Sequence, residues 1–322
     1  MSKIFAGRPS PILEGRGKAG GRKGESGMEL LSYLINGISL GSVYAIIALG
    51  YTMVYGIAKM LNFAHGDVIM VGSYIVFIAV NQMGIPPLAA VLLSMVLCTV
   101  LGLVIERFAY KPLRGAPSLA VLITAIGVSY LLQNLALLIW GSDPKNFTSV
   151  VNIHALELHL AGGQIVVSSE TVVTIISAAI IMVGLSAFVN HTKLGHAMLA
   201  VSEDKGAAQL MGVNVNSTIA LTFAIGSALA AVAGVLLCSA YPSLQPTTGA
   251  MPGIKAFTAA VFGGIGSIPG AMLGGVLLGV IEILSKAYVS TQLADAIVFA
   301  VLIIVLLVRP TGLLGKPMNE KV

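Results

Sequence analysis

From Met28 to Arg309 the chain is a succession of apolar blocks, each close to the length that crosses a bilayer. A helix rises about 1.5 Å per residue, so about 20 apolar residues span about 30 Å of hydrocarbon. Such blocks lie near 30–56, 68–83, 87–105, 118–140, 169–190, 217–240, 267–285 and 291–309, with a shorter apolar piece at 254–263. Lipid cannot satisfy free backbone groups, and the two-residue alternation of a membrane barrel is absent. The expected fold is an all-α polytopic membrane protein with about eight transmembrane helices, or eight to ten if broken and re-entrant segments are counted. Composition agrees: 57% of the 322 residues are hydrophobic and 10% are charged, where soluble domains carry roughly 25% charge. An ordinary soluble enzyme is excluded.

The net charge of +5 sits mostly at one end. Residues 1–27 hold six basic and two acidic side chains, against twelve and eleven in the rest. This stretch is rich in Gly, Ser and Arg, has no apolar period, and is expected to be a disordered basic extension. It has no continuous apolar core of the signal-peptide kind. Residues 28–322 then form the transmembrane domain. Outside the extension nothing supports a nucleic-acid partner. Short loops rich in Lys and Arg stay in the cytoplasm. That places there the loop 106–116 with Arg107, Lys111 and Arg114, the loop 191–216 with Lys193 and Lys205, and the C-terminal end after Arg309. The loop 141–168 faces outward. Cys98 and Cys238 lie in apolar runs and read as small buried hydrophobes.

Small residues recur four apart, as in the row Gly226, Ala230, Gly234 and the row Gly266, Gly270, Gly274. Helices in lipid associate by close packing, which such rows permit. Polar side chains at membrane depth are rarer. Asn62, His65 and Asp67 fall within six residues, and Gly66 among them marks a break. They need a cavity, a partner or an interface. One reading is a partly buried element on a transport path; the other is a turn with Asp67 as N-cap of the next helix. Gln133 and Asn134 lie inside an apolar block, suited to hydrogen bonds across helices or to a polar path. Lys255 opens a second interrupted stretch, KAFTAAVFGGIGSIPGAMLGG. It either snorkels to an interface or faces the path. Interrupted helices at membrane depth recur in transporters. Glu282 and Lys286 read as an interfacial pair four residues apart.

The loop 191–216 suits a short helix over 196–211 ending at Gly212, with an apolar edge that wants a groove on a partner. No GxxxxGK[ST] is present to cradle ATP, and no metalloprotease motif occurs.

The stretches INGISLGSVYAIIALGYTMVYGI (35–57), LNFAHGD (61–67), ERFAYKPLRGAPSLAVLITAIGVSYLLQN (106–134), LGHAMLAVSEDKGAAQLMGVNV (194–215), ALTFAIGSALAAVAGVLL (220–237), KAFTAAVFGGIGSIPGAMLGGVLLGVIE (255–282) and VLLVRPTGLLG (305–315) together resemble the LivH-type permease subunit of branched-chain amino-acid ABC importers. The resemblance covers nearly all of 30–315. It implies an inner-membrane subunit forming half of a path for Leu, Ile or Val. It implies partners: a second, M-type permease, two ATPase subunits that hold the ATP, and an extracytoplasmic binding protein. No cofactor is then expected in this chain. The loop 191–216 would be the coupling loop, with Leu199, Glu203, Ala207, Ala208, Leu210, Met211 and Gly212 at the ATPase. Gly206 stands where that loop's AAxxxG signature usually follows Glu. Other readings are a permease for urea, short amides or other apolar amino acids, an ion-coupled carrier, and a structural scaffold.

Overall fold

The computed structural model describes residues 21–151, 156–160 and 163–315. Eleven α-helices are present among them. In order they are α1 (Gly21–Ala58), α2 (His65–Asn81), α3 (Pro87–Ile105), α4 (Ser118–Trp140), α5 (Ser169–His191), α6 (Lys193–Glu203), α7 (Lys205–Leu210), α8 (Val215–Ala240), α9 (Ala250–Gly263), α10 (Ile268–Tyr288) and α11 (Ala294–Val308). Six helical stretches are long and apolar enough to span a membrane, and α2 and α11 are shorter apolar helices. Together they match the eight blocks. Helix α1 starts at Gly21, inside the stretch expected to be disordered. Once a helix is nucleated by an apolar span, adding residues to its end costs little. Residues 1–20 of that extension lie outside the described residues.

Packing contacts give the direction of neighbouring helices. Gly37 meets Val280, Gly41 meets Val276 and Ala45 meets Gly275, so α1 and α10 run antiparallel with their backbones touching. Gly72 meets Ala231 and Gly234 meets Ile69, so α2 and α8 are antiparallel as well. Gly226 on the same α8 sits against Gly50 of α1. Helices α1, α2, α8, α9 and α10 therefore form the interior, where Ile46, Ile47, Leu49, Ile69, Phe223 and Leu278 are buried. Helices α3 and α4 instead show Leu88, Leu92, Val96, Leu119, Ile123 and Leu138 on the outside, as expected of surfaces whose solvent is lipid or another apolar helix.

Of the second small-residue row, Gly270 and Gly274 pack on Gly263 and Ala259 of α9, but Gly266 does not belong to it. Helix α10 begins at Ile268, and Gly266 has φ 92° in the preceding turn. The four-residue spacing there reflects sequence alone.

Two small sheets lie in the connections. Strand β1 (Lys145–Asn146) pairs antiparallel with β4 (Ser243–Leu244), and β2 (Leu156–Leu160) forms a hairpin with β3 (Gly163–Val167). They add to an otherwise helical molecule without entering its spans.

Candidate translocation site

The site begins where α1 stops. Lys59 has φ 58°, a left-handed conformation that turns the chain back. Residues 60–64 then run non-helically into the bundle, so the segment after the first span re-enters. The aromatic ring of Tyr51 lies against His65, with centroids 4.7 Å apart. Tyr51 is seven residues before the end of α1, so α2 starts about 10 Å inside that end. Seventeen residues from there cover about 26 Å, less than a full crossing.

Helix α9 is the counterpart. It has 14 residues, about 21 Å, and its last carbonyls, Phe262 and Gly263, accept from Leu313 and Leu314. The N-termini of these two short helices meet. A Cβ on Gly66 would stand 2.6 Å from the Gly249 carbonyl oxygen, and one on Gly249 would run into Gly66 in return. Neither position tolerates a side chain. Neither helix has a side-chain cap. Two helix N-termini thus cross at close range, the one of α2 carrying Asp67 in its first turn.

The polar residues of the first segment separate into distinct partnerships. Asn62 is buried and accepts from the Tyr110 hydroxyl at 2.9 Å. Tyr110 reaches it from a π-helical turn, Glu106–Tyr110, which continues α3. Such a turn shifts the helical register and re-aims a side chain. Asp67 is not the N-cap. The cap is Ala64, and Asp67 is the third residue of the helix, accepting from Gln133 of α4 at 2.8 Å. Its carboxylate takes polar donors from α4, Gln133 and Ser129, as well as its own backbone N–H. His65 is buried, and its Nε2 has no hydrogen-bond partner. Gly50 provides the room for it. That nitrogen is enclosed against the Gly50 backbone, a buried polar atom whose hydrogen-bonding capacity is unmet.

Asn134, next to Gln133, points away. It is exposed and bonds Tyr130 within its own helix. Adjacent helical residues face about 100° apart, so only one of the two can reach α2.

Lys255 does not snorkel. It is buried, with Nζ 2.9 Å from Glu282 and 2.7 Å from Asp295. Glu282 also binds Lys286 at 2.6 Å and accepts from the Tyr44 hydroxyl at 2.9 Å. The Glu282–Lys286 pair is also one arm of a larger cluster joining α1, α9, α10 and α11, buried at Glu282 and Lys255 and partly exposed at Lys286 and Asp295. Tyr44 and Asp295 had given no sequence signal, because their partners lie on other helices. Gly249 had one: it sits in TTGAMPG, a Gly/Pro-punctuated stretch.

The loop 191–216 folds as two helices, not one. Asp204 adopts an extended conformation between α6 and α7 and accepts from the Gly206 and Ala207 N–H groups, capping α7. Gly212, with φ 85°, closes α7: its N–H donates to Gln209 and that of Val213 to Ala208. This is the Schellman pattern, which needs a residue free to take positive φ. Leu210 is 90% exposed and Met211 84%, with Leu194, Leu199, Glu203 and Ala207 also outside. Ala208 is only 4% exposed and packs into the chain's own core. It is corrected from partner contact to internal support.

The fold and site define a multi-pass helical membrane transport protein, with two re-entrant half-helices meeting at its centre and an apolar hook outside. The chain belongs to the family described as branched-chain amino acid transport system / permease component, whose profile matches residues 33–306. It is 47% identical over 300 residues to the high-affinity branched-chain amino acid transport system permease protein BraD of Pseudomonas aeruginosa, covering 91% of this chain and 98% of that one. LivH of Escherichia coli K12, named likewise, is 46% identical over 306 residues, 92% of this chain and 99% of its own. A probable LivH from Methanocaldococcus jannaschii is 30% identical, covering 86% and 90%. Among solved structures, PsaBC from Streptococcus pneumoniae in complex with Fab aligns with TM-score 0.43 and 14% identity over 90% of this chain and 96% of that one, which carries no argument. The chain is accordingly a multi-pass transport permease of the cytoplasmic (inner) membrane.

Proposed function

We propose that this permease is one half of the translocation path of an ATP-driven importer of branched-chain amino acids. The observation that carries the reading is near-half identity, over nine-tenths of the chain, to permeases named for that transport. The half-helix junction suits the chemistry. The N-terminus of α9, with no acidic residue in its first turn, favours a carboxylate, and His65 is a further polar group beside it. Asn62, Asp67 and Gln133 order the walls around it. Lys255 stabilises α9 instead of meeting substrate, because its charge is already matched by Glu282 and Asp295.

Energy enters from outside the chain. ATP hydrolysis belongs to two ATPase subunits that grip Leu210, Met211 and Leu199 on the hook. A second, M-type permease completes the path and an extracytoplasmic binding protein delivers the amino acid. An ion-coupled carrier would use an unmatched carboxylate in its spans; Glu282 is matched by two ammonium groups, which leaves Asp67, held by the neutral Gln133, as the residue such a reading would rest on. The test is uptake of labelled Leu, Ile, Val and urea by cells with and without the gene. Loss of the three amino acids with urea unchanged is expected. Loss of urea uptake alone would move the substrate to short amides.

A further inference from the structure

We propose that a cavity beside the α7–α8 turn binds the phosphate of an anionic lipid headgroup. The cavity measures about 530 Å³ and is lined by Arg114, Lys205, Gln209, Asn214, Asn216 and Ile219, among others. No carboxylate is among its described lining residues. Arg114 binds Asn216 and Glu106, which fixes its guanidinium at the rim, and its buried Nε has no partner. The Lys205 ammonium donates to the Ala58 carbonyl at the end of α1. Burial, then the charges of Arg114 and Lys59, push Lys205 below its ordinary value. Glu106 matches the Arg114 charge, so Lys205, half-buried and without a described carboxylate partner, is the cation that a bound anion would satisfy.

Position selects a lipid over a free ion. Arg114 stands just before the start of α4 and Asn216 lies in the first turn of α8, where polar loop gives way to apolar span. Phe108 and Leu119 beside them are largely exposed, so an acyl chain has an apolar surface to follow away from the phosphate. Basic pockets at the cytoplasmic ends of membrane helices hold anionic headgroups in this way.

The full chain, purified in a zwitterionic detergent, is titrated with fluorescent phosphatidylglycerol and with fluorescent phosphatidylcholine. Preference for phosphatidylglycerol is expected. Lys205→Gln should weaken its binding about tenfold, Lys205→Arg should retain it, and Lys193→Gln, on the same face but outside the cavity, should leave it unchanged. Equal binding of the two lipids, or the same loss in Lys193→Gln as in Lys205→Gln, overturns the proposal. So does displacement of the lipid by inorganic phosphate at the same concentration, which would make this a free-anion site.

Discussion

Asp67 shows how far a single residue can be read. Its expense at membrane depth was legible, because an acid between apolar blocks must find a partner. Its partner was not, since Gln133 lies 66 residues away on another helix. If the site uses the negative charge, Asp67→Asn and Asp67→Ala both lower amino-acid uptake at least severalfold while the protein still accumulates in the membrane. Asn can accept from Gln133 but carries no charge. Normal uptake by Asp67→Asn would reduce Asp67 to a structural acceptor. Gly66→Ala is a separate expectation: its Cβ meets a backbone carbonyl that cannot swing aside, so the half-helices must part. Loss of uptake with folded protein retained, followed by size-exclusion elution, is the expected outcome.

At the scale of elements, the spans were legible because their length and apolarity are local properties. The breaks between them were partly so: Gly66 marks the first half-helix and Gly and Pro mark the second, but that their ends meet is a tertiary fact. The hook shows the opposite error. A single helix over 196–211 was expected from its composition, yet Asp204 prefers to cap a second one. The exposed faces of Leu210 and Met211 place the partner contact there. Leu210→Asp with Met211→Asp should abolish co-purification with ATPase subunits without lowering the permease level. Ala208→Asp should instead lower the level itself, since a charge would enter the core. Co-purification unaffected by the double substitution would remove the hook from the interface. Gly212→Ala forces a non-glycine residue into φ 85° and costs about 1 kcal/mol, seen as a lower thermal midpoint.

For the whole molecule, the buried cluster around Glu282 fastens the re-entrant α9 to three other helices. The sequence shows only its i,i+4 member, because ion pairs 27 and 40 residues apart leave no local pattern. Glu282→Ala would remove the acceptor of the buried Tyr44 hydroxyl and one of the two carboxylates at Lys255, at roughly 1–3 kcal/mol. A lower midpoint of thermal unfolding in detergent is the expected reading, and an unchanged midpoint would show the cluster to be solvated. The central claim, however, is about transport, and reconstitution reaches it most directly. The chain, with its second permease and ATPase subunits, is placed in vesicles and given binding protein and labelled leucine in the absence of any ion gradient. Leucine should accumulate only when ATP is supplied to the ATPase side. Accumulation driven by an imposed proton or sodium gradient without ATP would contradict the account.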